Sequence, residues 1–139
     1  MLRGNASSRL VDELKIDKDC FVDEAWIKDY VQLILWTCGM FGVTVVSVKM
    51  CDSRRKGTHF YISISPPIEA NIANRLQWLL GDDCLRVDVN RARIGSGCPE
   101  WNKLFEKIGA RLRTIYSLRL RIRRRSGVHD AKASWIGRS

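Results

Sequence analysis

The stretch Ser53-Arg54-Arg55-Lys56-Gly57-Thr58-His59-Phe60-Tyr61-Ile62-Ser63-Ile64 joins three cations and a glycine turn to an alternating segment. Side chains alternate along a strand with period two. His59, Tyr61 and Ser63 therefore share one face, and Thr58, Phe60, Ile62 and Ile64 the other. Guanidinium and ammonium groups at Arg54, Arg55 and Lys56 match phosphate oxygens, and a phenol such as Tyr61 can stack on a base. Asp17-Lys18-Asp19 is a second feature. Paired carboxylates can hold Mg²⁺ or Mn²⁺, and they can equally serve a turn or a cap. The third is Arg111 to Arg125, which contains seven arginines and no acid. Such a run, with Arg111, Arg113, Arg119, Arg121, Arg123, Arg124 and Arg125, reads as a phosphate-binding surface. His59 also admits a plain structural role, as a strand residue hydrogen-bonded to Asp88.

These groups need a scaffold, and the hydrophobic pattern supplies one. A short strand falls within Val11 to Cys20. Asp23 is placed to cap a helix from Glu24 to about Cys38, with Ala25, Trp26, Tyr30, Leu33, Ile34 and Cys38 on one stripe. Val43 to Met50 reads as a strand, and the Ser53 to Gly57 turn joins it to a second strand from Thr58 to Ser65. Pro66-Pro67 ends that strand and opens a helix over 68–80, with Ile68, Ile72, Leu76, Leu79 and Leu80 inward and Gly81 as its stop. Leu85 to Arg93 alternates and reads as a strand showing Arg86, Asp88 and Asn90 on its polar side. Glu100 to Ile115 has helical spacing. Leu118 to Arg123 alternates strictly, as a half-buried strand with an arginine face does. Trp26, Trp78 and Trp101 sit on helical stripes and are assigned to the core.

The order predicts an α+β domain: a ferredoxin-like (RRM-like) βαββαβ sheet with helices on one face, extended by a C-terminal helix and a basic strand. Its free face would carry Ser47 and Lys49, His59 and Tyr61, and Arg86, Asp88 and Asn90. The domain would span 11–125, between flexible tails at 1–10 and 126–139.

Bulk properties narrow the class. A 139-residue chain with 45% apolar residues suits one globular domain. A formal charge of +9 points to a polyanionic partner, DNA or RNA. The five cysteines, Cys20, Cys38, Cys51, Cys84 and Cys98, form no C-x-x-C pair, which argues against a zinc ribbon. Cys20, Cys38 and Cys84 lie in or beside apolar runs and are expected to be buried and reduced, as in an intracellular (cytoplasmic) protein. The longest apolar run, Val31 to Val48, is broken by polar residues and glycines, so no membrane span is expected.

Taken together, Asp17-Lys18-Asp19, Gly57-Thr58-His59 and Asp88 resemble the catalytic core of archaeo-eukaryotic primases and primase-polymerases, over about residues 12–94. The resemblance implies that Asp17, Asp19 and Asp88 bind divalent metal, Mg²⁺ or Mn²⁺, and that His59 contacts the incoming nucleotide. It implies a metal-dependent nucleotidyltransferase, active or catalytically degenerate, in a replication assembly of archaeal, viral or plasmid origin. His59-Phe60-Tyr61 is also similar to the His-hydrophobic-His strand of rolling-circle (HUH-type) initiators, but Tyr61 replaces the second His and the following helix lacks Tyr. The expected binding residues are Lys49, Arg54, Arg55, Lys56, Tyr61, Arg86 and the arginines of 111–125. The alternative is a non-enzymatic basic structural or interaction protein that docks on nucleic acid or a nucleoprotein assembly.

Overall fold

The computed structural model describes residues 9–52, 57–104 and 109–119. Strand β1 (Leu10–Lys18) leads into helix α1 (Glu24–Met40). The Asp23 carboxylate caps that helix by accepting the Trp26 amide at 2.8 Å. The helix stops where Gly42 takes a φ of 74°, a conformation favoured by glycine. Its buried stripe is Ile27, Tyr30, Val31, Ile34 and Cys38. Ala25 and Leu33, expected inward, are exposed.

Strands β2 (Thr44–Asp52) and β3 (Thr58–Glu69) form the expected antiparallel hairpin. β3 runs further than the prolines suggested, through a cis Ser65–Pro66 peptide, and pairs with β1 on its other side. Helix α2 is therefore shorter than expected, Ala70–Leu79. It buries Ala73, Asn74, Leu76 and Gln77, leaving Ile72 and Leu79 outside.

The main departure follows Gly81. Residues Cys84–Gly95 form a helix, α3, not a strand. Asp83 caps it by accepting the Arg86 amide at 3.0 Å. Val87, Asn90 and Ile94 are its buried residues, a helical spacing that overrides the alternation of Leu85, Val87 and Val89. Arg86, Asp88 and Asn90 therefore do not join a sheet face.

The helix expected over Glu100–Ile115 is not present in its described part. Trp101 is buried in the core, Gly109 has a φ of 79°, and Arg113–Ser117 is strand β4. The strand ends before the alternating stretch from Leu118, most of which lies outside the described residues.

Among the described residues the result is an α+β unit with three helices and a four-stranded antiparallel sheet, ordered β1-β3-β2-β4. The ferredoxin-like arrangement places the last strand beside the first; here β4 pairs with β2. Side chains occupy the outer edge of β1 instead. Gln77 Oε1 accepts the Lys15 amide and Asp82 Oδ1 the Asp17 amide, both at 2.9 Å. The core lies between α1, α2 and one sheet face, and includes Leu14, Ile16, Ile34, Val48, Phe60, Ile62, Leu76 and Tyr116.

Candidate nucleic-acid interface

Phe60 packs on the Tyr30 and Trp26 rings of α1, at 4.9 and 6.0 Å between centroids. Alternation then turns His59, Tyr61 and Ser63 to the opposite face. The register puts Asp17, Lys15 and Glu13 of β1 beside them on one side, and Cys51, Lys49 and Ser47 of β2 on the other. Asp17, His59 and Cys51 thus form one row across three strands. His59 Nε2 lies 3.4 Å from Asp17 Oδ1, so its partner is Asp17 rather than Asp88. His59 Nδ1 is buried with no hydrogen-bond partner.

This face is less open than its composition suggested. His59 is 2% exposed and Tyr61 9%, so Tyr61 presents no stacking surface. Lys49 is exposed. Glu13, Lys15, Asp17 and Lys49 balance in charge, so among the described residues the face has no net positive charge.

Arg86 has a different task. Its guanidinium donates to buried Asp82 at 2.9 Å and to Asn102 Oδ1 at 2.6 Å. Asn102 Nδ2 donates to Gln77 Oε1 at 2.8 Å. Asn74 Nδ2 donates to the Val87 carbonyl at 3.0 Å. Burial lowers the Arg86 pKa and raises that of Asp82, with their mutual attraction opposing both shifts. The network ties β1 to α2, α3 and the segment around Trp101. Arg86 is thereby removed from the phosphate-binding set.

Asp88 is also displaced from its expected place. It is exposed on α3, with Arg91 Nη1 3.4 Å from its carboxylate. Asp19 is exposed just beyond the end of β1. Among the described residues no three His, Cys, Asp or Glu side chains converge as a cation cage. The carboxylates that the primase resemblance assigns to Mg²⁺ or Mn²⁺ are thus not gathered into one cage.

Of the predicted binding arginines, Arg113 donates to Glu24 Oε1 at 2.8 Å, and Arg111 and Arg119 are exposed. Arg54, Arg55, Lys56, Arg121, Arg123, Arg124 and Arg125 lie outside the described residues. Cys38 is buried as expected, whereas Cys20, in the connection between β1 and α1, and Cys84, the first residue of α3, are exposed. No described helix is long and apolar enough to cross a membrane.

A site that the sequence reading missed lies between α2 and α3. Asn71, Asn74, Arg75, Trp78, Val87 and Arg91 line a groove of about 390 Å³. Trp78, assigned to the core from its helical spacing, is 55% exposed. The buried stripe of α2 is set by Ala73, Leu76 and Leu80, which turns Arg75 and Trp78 outward together, three residues apart. Arg75 makes no ion pair among the described residues, and the exposed Asp88–Arg91 pair holds Arg91 only weakly. The one signal in the sequence is the Arg75-x-x-Trp78 spacing, and Arg91 joins it only because 84–95 is helical.

Neither family models, nor curated proteins, nor solved structures give a match to this chain.

Proposed function

We propose that this protein binds single-stranded nucleic acid, with the α2–α3 groove as its base-contacting site. The observation that carries the reading is the exposed Trp78 in a groove it shares with Arg75 and Arg91. An indole face stacks on any unpaired base, and a flanking guanidinium meets the backbone phosphate or stacks in turn. Bases inside a duplex do not offer that face, so single strands are the favoured form. Asn71 lines the same groove, and its amide can donate to and accept from a base edge. The charge of +9, and exposed Arg111, Arg119 and Lys49, supply long-range attraction for the same partner.

The test is fluorescence anisotropy of a labelled oligonucleotide titrated with the full chain at several salt concentrations. Trp78→Ala is expected to weaken binding by about 1–3 kcal/mol, the range for loss of one stacked base. Arg75→Ala with Arg91→Ala should reduce the magnitude of the log–log salt slope by about 1.4, from about 0.7 per phosphate contact on a single strand. Undiminished binding in both variants would assign the interaction to another surface. Absence of salt-dependent binding by the wild type would favour the interaction-protein alternative.

A second reading, nucleotidyl transfer in a replication setting, has the contact between Asp17 and His59 in its favour. It requires nucleotide binding that Asp17→Ala abolishes while oligonucleotide affinity persists, a result that isothermal titration with a nucleoside triphosphate would give.

A further inference from the structure

From Val31 to Val48 the chain contains no Asp, Glu, Lys, Arg or His, although the molecule as a whole carries +9. This stretch supplies the outer side of the C-terminal half of α1 and the start of β2. It leaves Trp36 and Met40 each 70% exposed and Leu33 42% along one stripe of α1, with Phe41 at its C-terminal cap 43% exposed. Monomeric proteins rarely leave so many large apolar side chains together in water. Beside them, between α1 and α2, runs a groove of about 340 Å³. Trp26, Leu33, Leu79 and Leu80 line it, with Lys18 and Asp29 supplying its charged groups. The Lys18 ammonium lies 5.1 Å from the Tyr30 ring centroid and 5.9 Å from that of Trp26. It also packs against Gly81, where an added Cβ would displace the ammonium end of this flexible side chain.

We infer that this face is the interface of a homodimer, in which Trp36 of each copy enters the α1–α2 groove of the other. Two properties select a second copy as the occupant. The first is self-complementarity: Leu33 lines the groove, and Trp36 projects one helical turn along the same stripe. A two-fold axis through α1 brings each indole to the partner's groove, the arrangement of an isologous contact. The second is charge. Two copies of a +9 chain repel one another, and this uncharged stretch is where they can meet at the least of that cost. An acidic partner, or nucleic acid, would gain nothing by choosing it.

Sedimentation of the full chain across a range of concentrations tests the inference. The wild type should pass from monomer to dimer as concentration rises. Trp36→Lys should weaken the dimer by a factor of at least about 30, since truncating a central aromatic anchor costs about 2 kcal/mol or more and the lysine adds repulsion. Trp36→Phe should retain most of it. Far-ultraviolet circular dichroism confirms that each variant is folded. Oxidative footprinting of the wild type gives an independent reading, with Trp36 and Met40 becoming protected as the dimer forms. A wild type monomeric at every concentration overturns the inference. So does a dimer that folded Trp36→Lys leaves intact, or a monomer whose Trp36 is shielded only by added lipid vesicles.

Discussion

Single residues here gain their importance from what they face rather than from their type. Asp82 directly follows the Gly81 helix stop, and its carboxylate takes the Asp17 amide, the Asp83 amide and the Arg86 guanidinium together. Asp82→Ala leaves a largely buried guanidinium without its counter-charge and is expected to cost about 3–5 kcal/mol. Asp82→Ala combined with Arg86→Met should cost less than Asp82→Ala alone, because the orphaned charge is gone. Urea midpoints of the two single variants and the double variant check both statements. Two other buried groups set the alkaline limit. Burial pushes the Cys38 thiol up to about 11. It also raises the Tyr30 phenol, which donates to the Leu80 carbonyl at 2.6 Å. Both are acids whose folded pKa exceeds the unfolded one. Their stabilisation is complete below the unfolded values, about 8.5 for Cys and about 10 for Tyr, and is lost as pH rises through the folded ones. Unfolding free energy should therefore fall from about pH 8.5 upward. In Tyr30→Phe the decline should be shallower from a somewhat lower plateau, as denaturant melts at stepped pH would show.

At the scale of elements, the first half of the chain was legible because each signal agreed with the next. Asp23 caps, the stripe from Ile27 to Cys38 is apolar, Gly42 turns, and β2 and β3 alternate into a hairpin. The second half carried conflicting periods. In 84–95 the residues Leu85, Val87 and Val89 fit a strand, while Val87, Asn90 and Ile94 fit a helix. Capping by Asp83 decides for the helix. Nothing local announced that Asn90 would be buried, because its environment is made by α2 and the Trp101 segment. The same long-range logic explains why no described strand flanks the outer edge of β1. Gln77 and Asp82 satisfy the amides of Lys15 and Asp17, which would otherwise need a neighbouring strand. Gln77→Ala removes the acceptor of a part-buried amide and the partner of Asn102. The expected loss is about 1–3 kcal/mol. Hydrogen exchange should accelerate at Lys15 more than at Tyr61, whose strand lies inside the sheet. Equal acceleration at both would mean that the edge and the centre of the sheet open as one unit.

For the whole molecule, one quantity acts on three processes with different signs. The charge of +9 destabilises the compact state by self-repulsion, attracts polyanions and keeps copies apart. Added salt screens all three, over a Debye length of about 10 Å at 0.1 M. Raising sodium chloride from about 0.05 M to about 0.2 M should therefore raise the thermal midpoint and strengthen self-association through the uncharged α1 face, while weakening oligonucleotide binding. The signs also assign the surfaces. Loss of Arg75 and Arg91 should flatten the salt response of nucleic-acid binding and leave that of dimerisation nearly unchanged, because the α2–α3 groove and the Trp36 stripe share none of their lining residues. Anisotropy and sedimentation run in the same buffers check this. If the Arg75→Ala, Arg91→Ala variant altered both responses equally, charge would be acting as a diffuse field and the groove would have no special claim on the phosphates.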